Sequence, residues 1–161
     1  LWPTPERLPD GGPVLLPEGG ARLTRQLYAG DVATAIAQLV VARPPREAIY
    51  NLAQPDLVSV RELAGRIAHA AGITARFVDC TWDELSEHGL DRDCSPYAGR
   101  WTSVMDPSRA ATEWGFAPRR LDDYLPQVVR WHLEHRPPAS HRGYALRVRE
   151  LDLASRRVAA G

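Results

Sequence analysis

Arginine is the side chain in this sequence best suited to chemistry. All 20 basic residues are arginine and none is lysine, against 20 acidic residues. A guanidinium grips phosphate or carboxylate with two parallel hydrogen bonds, so Arg25, Arg92 and Arg100 brought to one cleft would suit an anionic small molecule. Asn51, at the end of an apolar run, reads either as a ligand contact or as an amide that satisfies a turn. Tyr97 and Trp101 could stack on a base or sugar, or cover the edge of the core. The stretch His88-Gly-Leu-Asp-Arg-Asp-Cys-Ser-Pro-Tyr-Ala-Gly-Arg100 is polar, irregular and rich in ligand-contacting types, the composition of a site loop. Tyr28 and Asp83 are candidate proton carriers, but no paired carboxylates and no Ser/His/Asp set accompany them. His132, Glu134 and His135 have a metal-like look without a third ligand, so no metal is expected.

The missing residue types exclude several reactions. Without lysine there is no Schiff base, no phosphate-loop lysine and no Tyr-x-x-x-Lys pair. Twelve glycines include no G-x-G-x-x-G run, so a dinucleotide fingerprint is absent as well. Zero net charge supplies no bulk field for nucleic acid or an anionic membrane. Residues 136–161 carry six arginines against Glu150 and Asp152, which a solvated helix face accounts for. Cys80 and Cys94 are too few and too far apart for a disulfide framework or a C-x-x-C site, and both are expected as reduced thiols in a cytoplasmic protein. No apolar run reaches membrane length and no signal-peptide pattern opens the chain. It begins at Leu1 without an initiator methionine, as a processed chain or a fragment would.

These candidates need a scaffold, and 161 residues are enough for one domain with a real core. Prolines 3, 5, 9, 13 and 17 with paired glycines make residues 1–20 a series of turns around Val14-Leu15-Leu16. Residues 22–29 suit a strand, 32–42 a helix capped by Asp31, and 48–52 a second strand. Ser59-Val-Arg-Glu62 and Thr81-Trp-Asp-Glu84 are capping boxes opening helices that stop near Gly72 and Gly89. A strand over 74–79 is expected between them, and a short one over 101–105. Asp106-Pro107 then starts a helix ending at Gly115, and residues 121–135 and 144–157 read as amphipathic helices. The alternation of short strands and helices predicts an α/β protein.

Four phrases in this order, "RQLYAGDVATAI", "AIYNLAQPDLVSVRELAGRIAHAAG", "MDPSRAATEWGFAPR" and "LDDYLPQVVRWHLEH", resemble the C-terminal half of the extended short-chain dehydrogenases, the NAD-dependent epimerase/dehydratase family. The likeness covers residues 13–135. It implies a Rossmann-type α/β fold whose nucleotide-binding first half, with the glycine loop and the catalytic tyrosine and lysine, lies outside this sequence. It also implies NAD or NADP for the intact enzyme, held by that missing half, and a nucleotide sugar or similar anion as substrate. The family's diphosphate-binding arginine falls at Thr24, one residue before Arg25. Asn51 matches an asparagine that lies against substrate phosphates, Ser108 and Arg109 match the Ser-Lys of a later helix, and Arg92 or Arg100 matches an arginine that closes over the substrate. The division expected is a loop and substrate-lobe strand over 1–30, a helix and strand over 31–54 packing on the nucleotide-binding sheet, a substrate lobe over 55–135, and a C-terminal helix over 136–161. Alone, such a piece would bind substrate without turning it over, and a homodimer or association with the missing half is expected. The alternative is a non-catalytic binding or scaffold module of the same descent, contacting RNA or protein.

Overall fold

The computed structural model describes residues 7–41, 49–90, 102, 104–136 and 144–160. A tight turn at Leu8–Asp10 leads into β1 (Val14–Pro17), and a second at Glu18–Gly20 leads into β2 (Leu23–Thr24). Then come α1 (Ala29–Val41), β3 (Val58–Ser59), α2 (Val60–Ala70), β4 (Phe77–Cys80) and α3 (Trp82–Glu87). Helices α4 (Ser108–Trp114), α5 (Leu121–Glu134) and α6 (Arg147–Ala160) complete the order. β1 and β4 pair in parallel, Val14 opposite Phe77, and β2 and β3 pair antiparallel, Leu23 opposite Ser59. The result is the mixed α/β class expected.

Local chemistry sets most helix ends. Ser59 Oγ accepts from the Glu62 amide while the Glu62 carboxylate accepts from the Ser59 amide at 2.7 Å, and Thr81 and Glu84 repeat the exchange before α3. Gly72, Gly89 and Gly115 turn the chain out of α2, α3 and α4 with positive φ, where a Cβ would be strained. The apolar stripe of α2 (Leu63, Ile67, Ala68) packs on that of α5 (Leu121, Tyr124, Leu125, Val129), with Leu8, Val14 and Val58 closing the main core. A second cluster joins Leu15, Cys80, Leu85 and Leu90 to Leu153 and Ala154 of α6. A third places Ala35 of α1 against Ala110 of α4 and Phe116.

Several expectations need correction. The strand expected over 22–29 shrinks to Leu23–Thr24, because only two residues find a partner in β3. Asp31 is not the cap of α1: the Asp31 and Val32 amides bond to the Tyr28 carbonyl, so the helix starts at Ala29 and Asp31 sits inside its first turn. There its carboxylate accepts from the backbone and side chain of Arg119. No strand forms over 49–52, which joins no ladder among the described residues, and residue 48 lies outside them. The strand expected over 74–79 shifts to Phe77–Cys80, in register with β1. None forms at Thr102, Val104 or Met105. Ahead of α4 the cap position is Pro107, although the Asp106 side chain accepts from the Ser108 amide at 2.9 Å. α6 begins at Arg147, after a turn at 144–146.

Candidate functional site

β2 ends at Thr24, which is buried and whose Oγ1 accepts from Gln26 Nε2 at 2.9 Å. Alternation along extended chain sends the next side chain to the other side. Arg25 crosses there to the segment before α4, where its Nη1 donates to the Met105 carbonyl at 3.0 Å. Asn51 comes from the stretch between α1 and β3, and its Nδ2 donates to the Asp106 carbonyl at 3.3 Å. Two donors 26 positions apart in sequence therefore reach consecutive carbonyls of one turn. Among the described residues the buried Nε of Arg25 has no hydrogen-bond partner. The Asp106 carboxyl is held below the usual aspartate range, first by the Ser108 amide and then by the Ser108 side chain, with a smaller contribution from the charge of Arg25.

The supports behind this pair are polar, with Gln54 and Tyr124 buried and the rest partly or fully exposed. The Gln54 amide donates to the Gln26 carbonyl at 3.1 Å, tying the stretch that carries Asn51 to the one that carries Arg25. The Gln54 side chain is fully buried, and its Oε1 accepts from the Tyr124 hydroxyl at 2.5 Å. The Tyr124 ring stacks on Tyr28 at 5.2 Å between centroids, and the Arg119 guanidinium lies 4.6 Å from the centroid of the Tyr28 ring. Stacking and cation–π contact fix the Tyr28 ring. Tyr50 donates to Glu113 at 2.9 Å, and Arg109 donates to the other oxygen of that carboxylate, so the residue before Asn51 is fastened to α4. Arg109 is held here by Glu113 and lies 6.0 Å from the Tyr50 ring centroid.

Of the residues expected at the site, Arg25 and Asn51 meet at one turn, while Arg92, Tyr97, Arg100 and Trp101 lie outside the described residues. Asp83 is an exposed member of the first turn of α3. His135 stacks on Trp131, and among the described residues no group of three His, Cys, Asp or Glu side chains is placed to hold a metal ion. Gln54 and Tyr124 were not foreseen as supports. A glutamine before a proline in a connecting stretch carries no local sign of burial.

Pyrophosphate binds free amides at a helix N-terminus, and at α2, α3 and α5 side-chain oxygens already take some of those amides. The Glu62 and Ser59 exchange closes α2. At α5, Asp56 accepts from the Leu121 amide at 2.8 Å and Asp123 from the Arg120 amide at 3.2 Å, while Asp31 puts a negative charge in the first turn of α1.

The architecture has known counterparts. A dTDP-glucose 4,6-dehydratase of Streptomyces venezuelae, solved with NAD and TYD, superimposes with a TM-score of 0.59 at 23% identity, over 83% of this chain and 38% of that one. A UDP-glucose 4-epimerase of Thermotoga maritima, solved with UDP-glucose, gives 0.62 at 18% identity, over 83% and 39%. The Bordetella bronchiseptica enzyme WbmG, solved with NAD and UDP, gives 0.60 at 19% identity, over 89% and 41%. The fold is that of the NAD-dependent epimerases and dehydratases. The chain spans about two fifths of the length of these enzymes. No family model and no curated protein sequence matches it. No helix among the described residues is long and apolar enough to cross a membrane.

Proposed function

We propose that this chain is the substrate-side portion of an NAD(P)-dependent epimerase, dehydratase or reductase, and that it binds the phosphates of a nucleotide sugar or a similar anion through Arg25 and Asn51. The observation that carries this reading is the convergence of the two side chains on the Met105–Asp106 turn. Each uses one donor there, and a guanidinium has five. Arg92, Tyr97 and Arg100 complete the site in this reading, and hydride transfer belongs to a nucleotide-binding half carried elsewhere in the polypeptide or on a second chain. The capped helix N-termini described above support leaving the dinucleotide to that half.

Calorimetric titration of the chain with UDP, dTDP, NAD and NADP tests the reading. UDP or dTDP should bind, Arg25→Met should weaken that binding tenfold or more, and neither dinucleotide should bind at micromolar concentration. Equal UDP affinity in wild type and Arg25→Met would remove the site. Failure of UDP and dTDP to bind at all would favour the non-catalytic module.

A further inference from the structure

α6 is tied to the rest of the chain by a set of charged contacts. Arg7 and Glu150, at 1% and 2% exposure, form a buried pair in which both oxygens of Glu150 accept from Arg7. Arg147 donates to Glu150 at 3.0 Å, to both oxygens of Asp10 at 2.7 and 2.8 Å, and to the Pro13 carbonyl at 2.9 Å. Two glycines receive the helix. A Cβ on Gly12 would stand 2.7 Å from Arg147 Nη2 and from Leu151 Cδ2, and one on Gly89 would stand 2.8 Å from Arg149 Nη1. Among the described residues of the helix, Leu153 and Ala154 join an apolar cluster, whereas Val148 and Val158 are 79% and 68% exposed. No described residue of α6 belongs to the main core between α2 and α5.

Desolvation of buried charges cancels much of their attraction, and a 14-residue helix is marginal on its own. Releasing α6 therefore costs less than opening the core. We infer that α6 is a detachable clasp, which opens as one unit while α2 and α5 stay packed. Its opening uncovers the apolar face of Leu15, Cys80, Leu85 and Leu90, and closure is keyed by Glu150 and by the close approach at Gly12.

Native-state hydrogen exchange on the 161-residue chain, paired with DTNB labelling of Cys80 in a Cys94→Ser background, tests the clasp. Amides of α6 should exchange as a group at least tenfold faster than the most protected amides of α2 and α5, with Cys80 labelled at the α6 opening rate. Gly12→Ala adds only a methyl at the contact, since Gly12 is not in the left-handed region. It should speed α6 exchange and Cys80 labelling a further tenfold and leave α2 and α5 unchanged. Glu150→Gln should do the same. Equal protection of α6 and the core in the unmutated chain, or Cys80 labelling only at the rate of global unfolding, would overturn the inference without reliance on either variant.

Discussion

Replacing Ile36 and Val40 by glutamine should leave the stability of the isolated chain almost untouched while abolishing its association with other protein. Ile36, Val40, Val41 and Ile49 are 56%, 81%, 89% and 81% exposed, and residues 32–41 contain no charged side chain in a sequence that is 25% charged. Among the described residues nothing covers these side chains of α1. The exposures of Ile36, Val40 and Val41 amount to about two whole apolar side chains in water. At ~1.5–3 kcal/mol for each that becomes buried, a partner covering them gains about 3–7 kcal/mol, a sizeable part of the ~5–15 kcal/mol that holds a typical domain together. Sedimentation velocity should find the wild-type chain dimeric or larger at tens of micromolar, and Ile36→Gln/Val40→Gln monomeric. Urea melts of the two should agree to within about 0.5 kcal/mol, as for other surface changes. A monomeric wild type whose double variant loses 2 kcal/mol or more would place these side chains inside the chain's own packing and refute the reasoning.

Three further outcomes follow from single contacts. Tyr124→Phe strands the buried Gln54 Oε1 and should cost about 1–3 kcal/mol in urea melts, whereas adding Gln54→Leu, which removes the stranded acceptor, should recover part of the loss. Asp56→Ala deprives the Leu121 amide of its acceptor and should lower stability by about 1–2 kcal/mol, nearly all of it from the cap, because the partner Arg120 is largely exposed. The Glu62 and Glu84 carboxyls are held below the glutamate range, first by the backbone amides of Ser59 and Thr81. Their contribution is therefore complete above the unfolded value of about 4.3 and fades as pH falls through the lower folded values. Far-UV circular dichroism from pH 7 to 3 should show helix loss in that window, flattened in Glu62→Gln/Glu84→Gln.

What could be read from the sequence divides along the range of the interaction involved. The capping boxes at Ser59 and Thr81 and the glycine stops at 72, 89 and 115 act within four residues, and the structure keeps all of them. The α/β alternation and the amphipathic stripes of α2 and α5 were legible for the same reason. Strands were misread wherever the partner decides: 22–29 has the pattern but only two residues face β3, and 49–52 has the pattern but no ladder beside it. Asp31 obeys the preference of a cap and is instead taken by Arg119, 88 positions away. The pairing of Arg7 with Glu150 spans 143 positions, so neither residue's surroundings hint that both are buried.

The same division bears on the site. Arg25 was legible as a cation beside a strand, but its orientation toward the Met105 carbonyl is set by burial of Thr24 on the opposite side, a consequence of packing. Asn51 is fixed less by its own bond, at 3.3 Å, than by its neighbours, Tyr50 on Glu113 and Gln54 on Gln26 and Tyr124. Two residues before Asn51, the same stretch presents Ile49 to solvent. The stretch is therefore fastened to α4 through Tyr50 while Ile49 stays exposed. Whatever covers Ile49 also restrains the backbone that carries Asn51, so coverage of Ile49 and rigidity of the proposed anion site depend on the same six residues, 49–54.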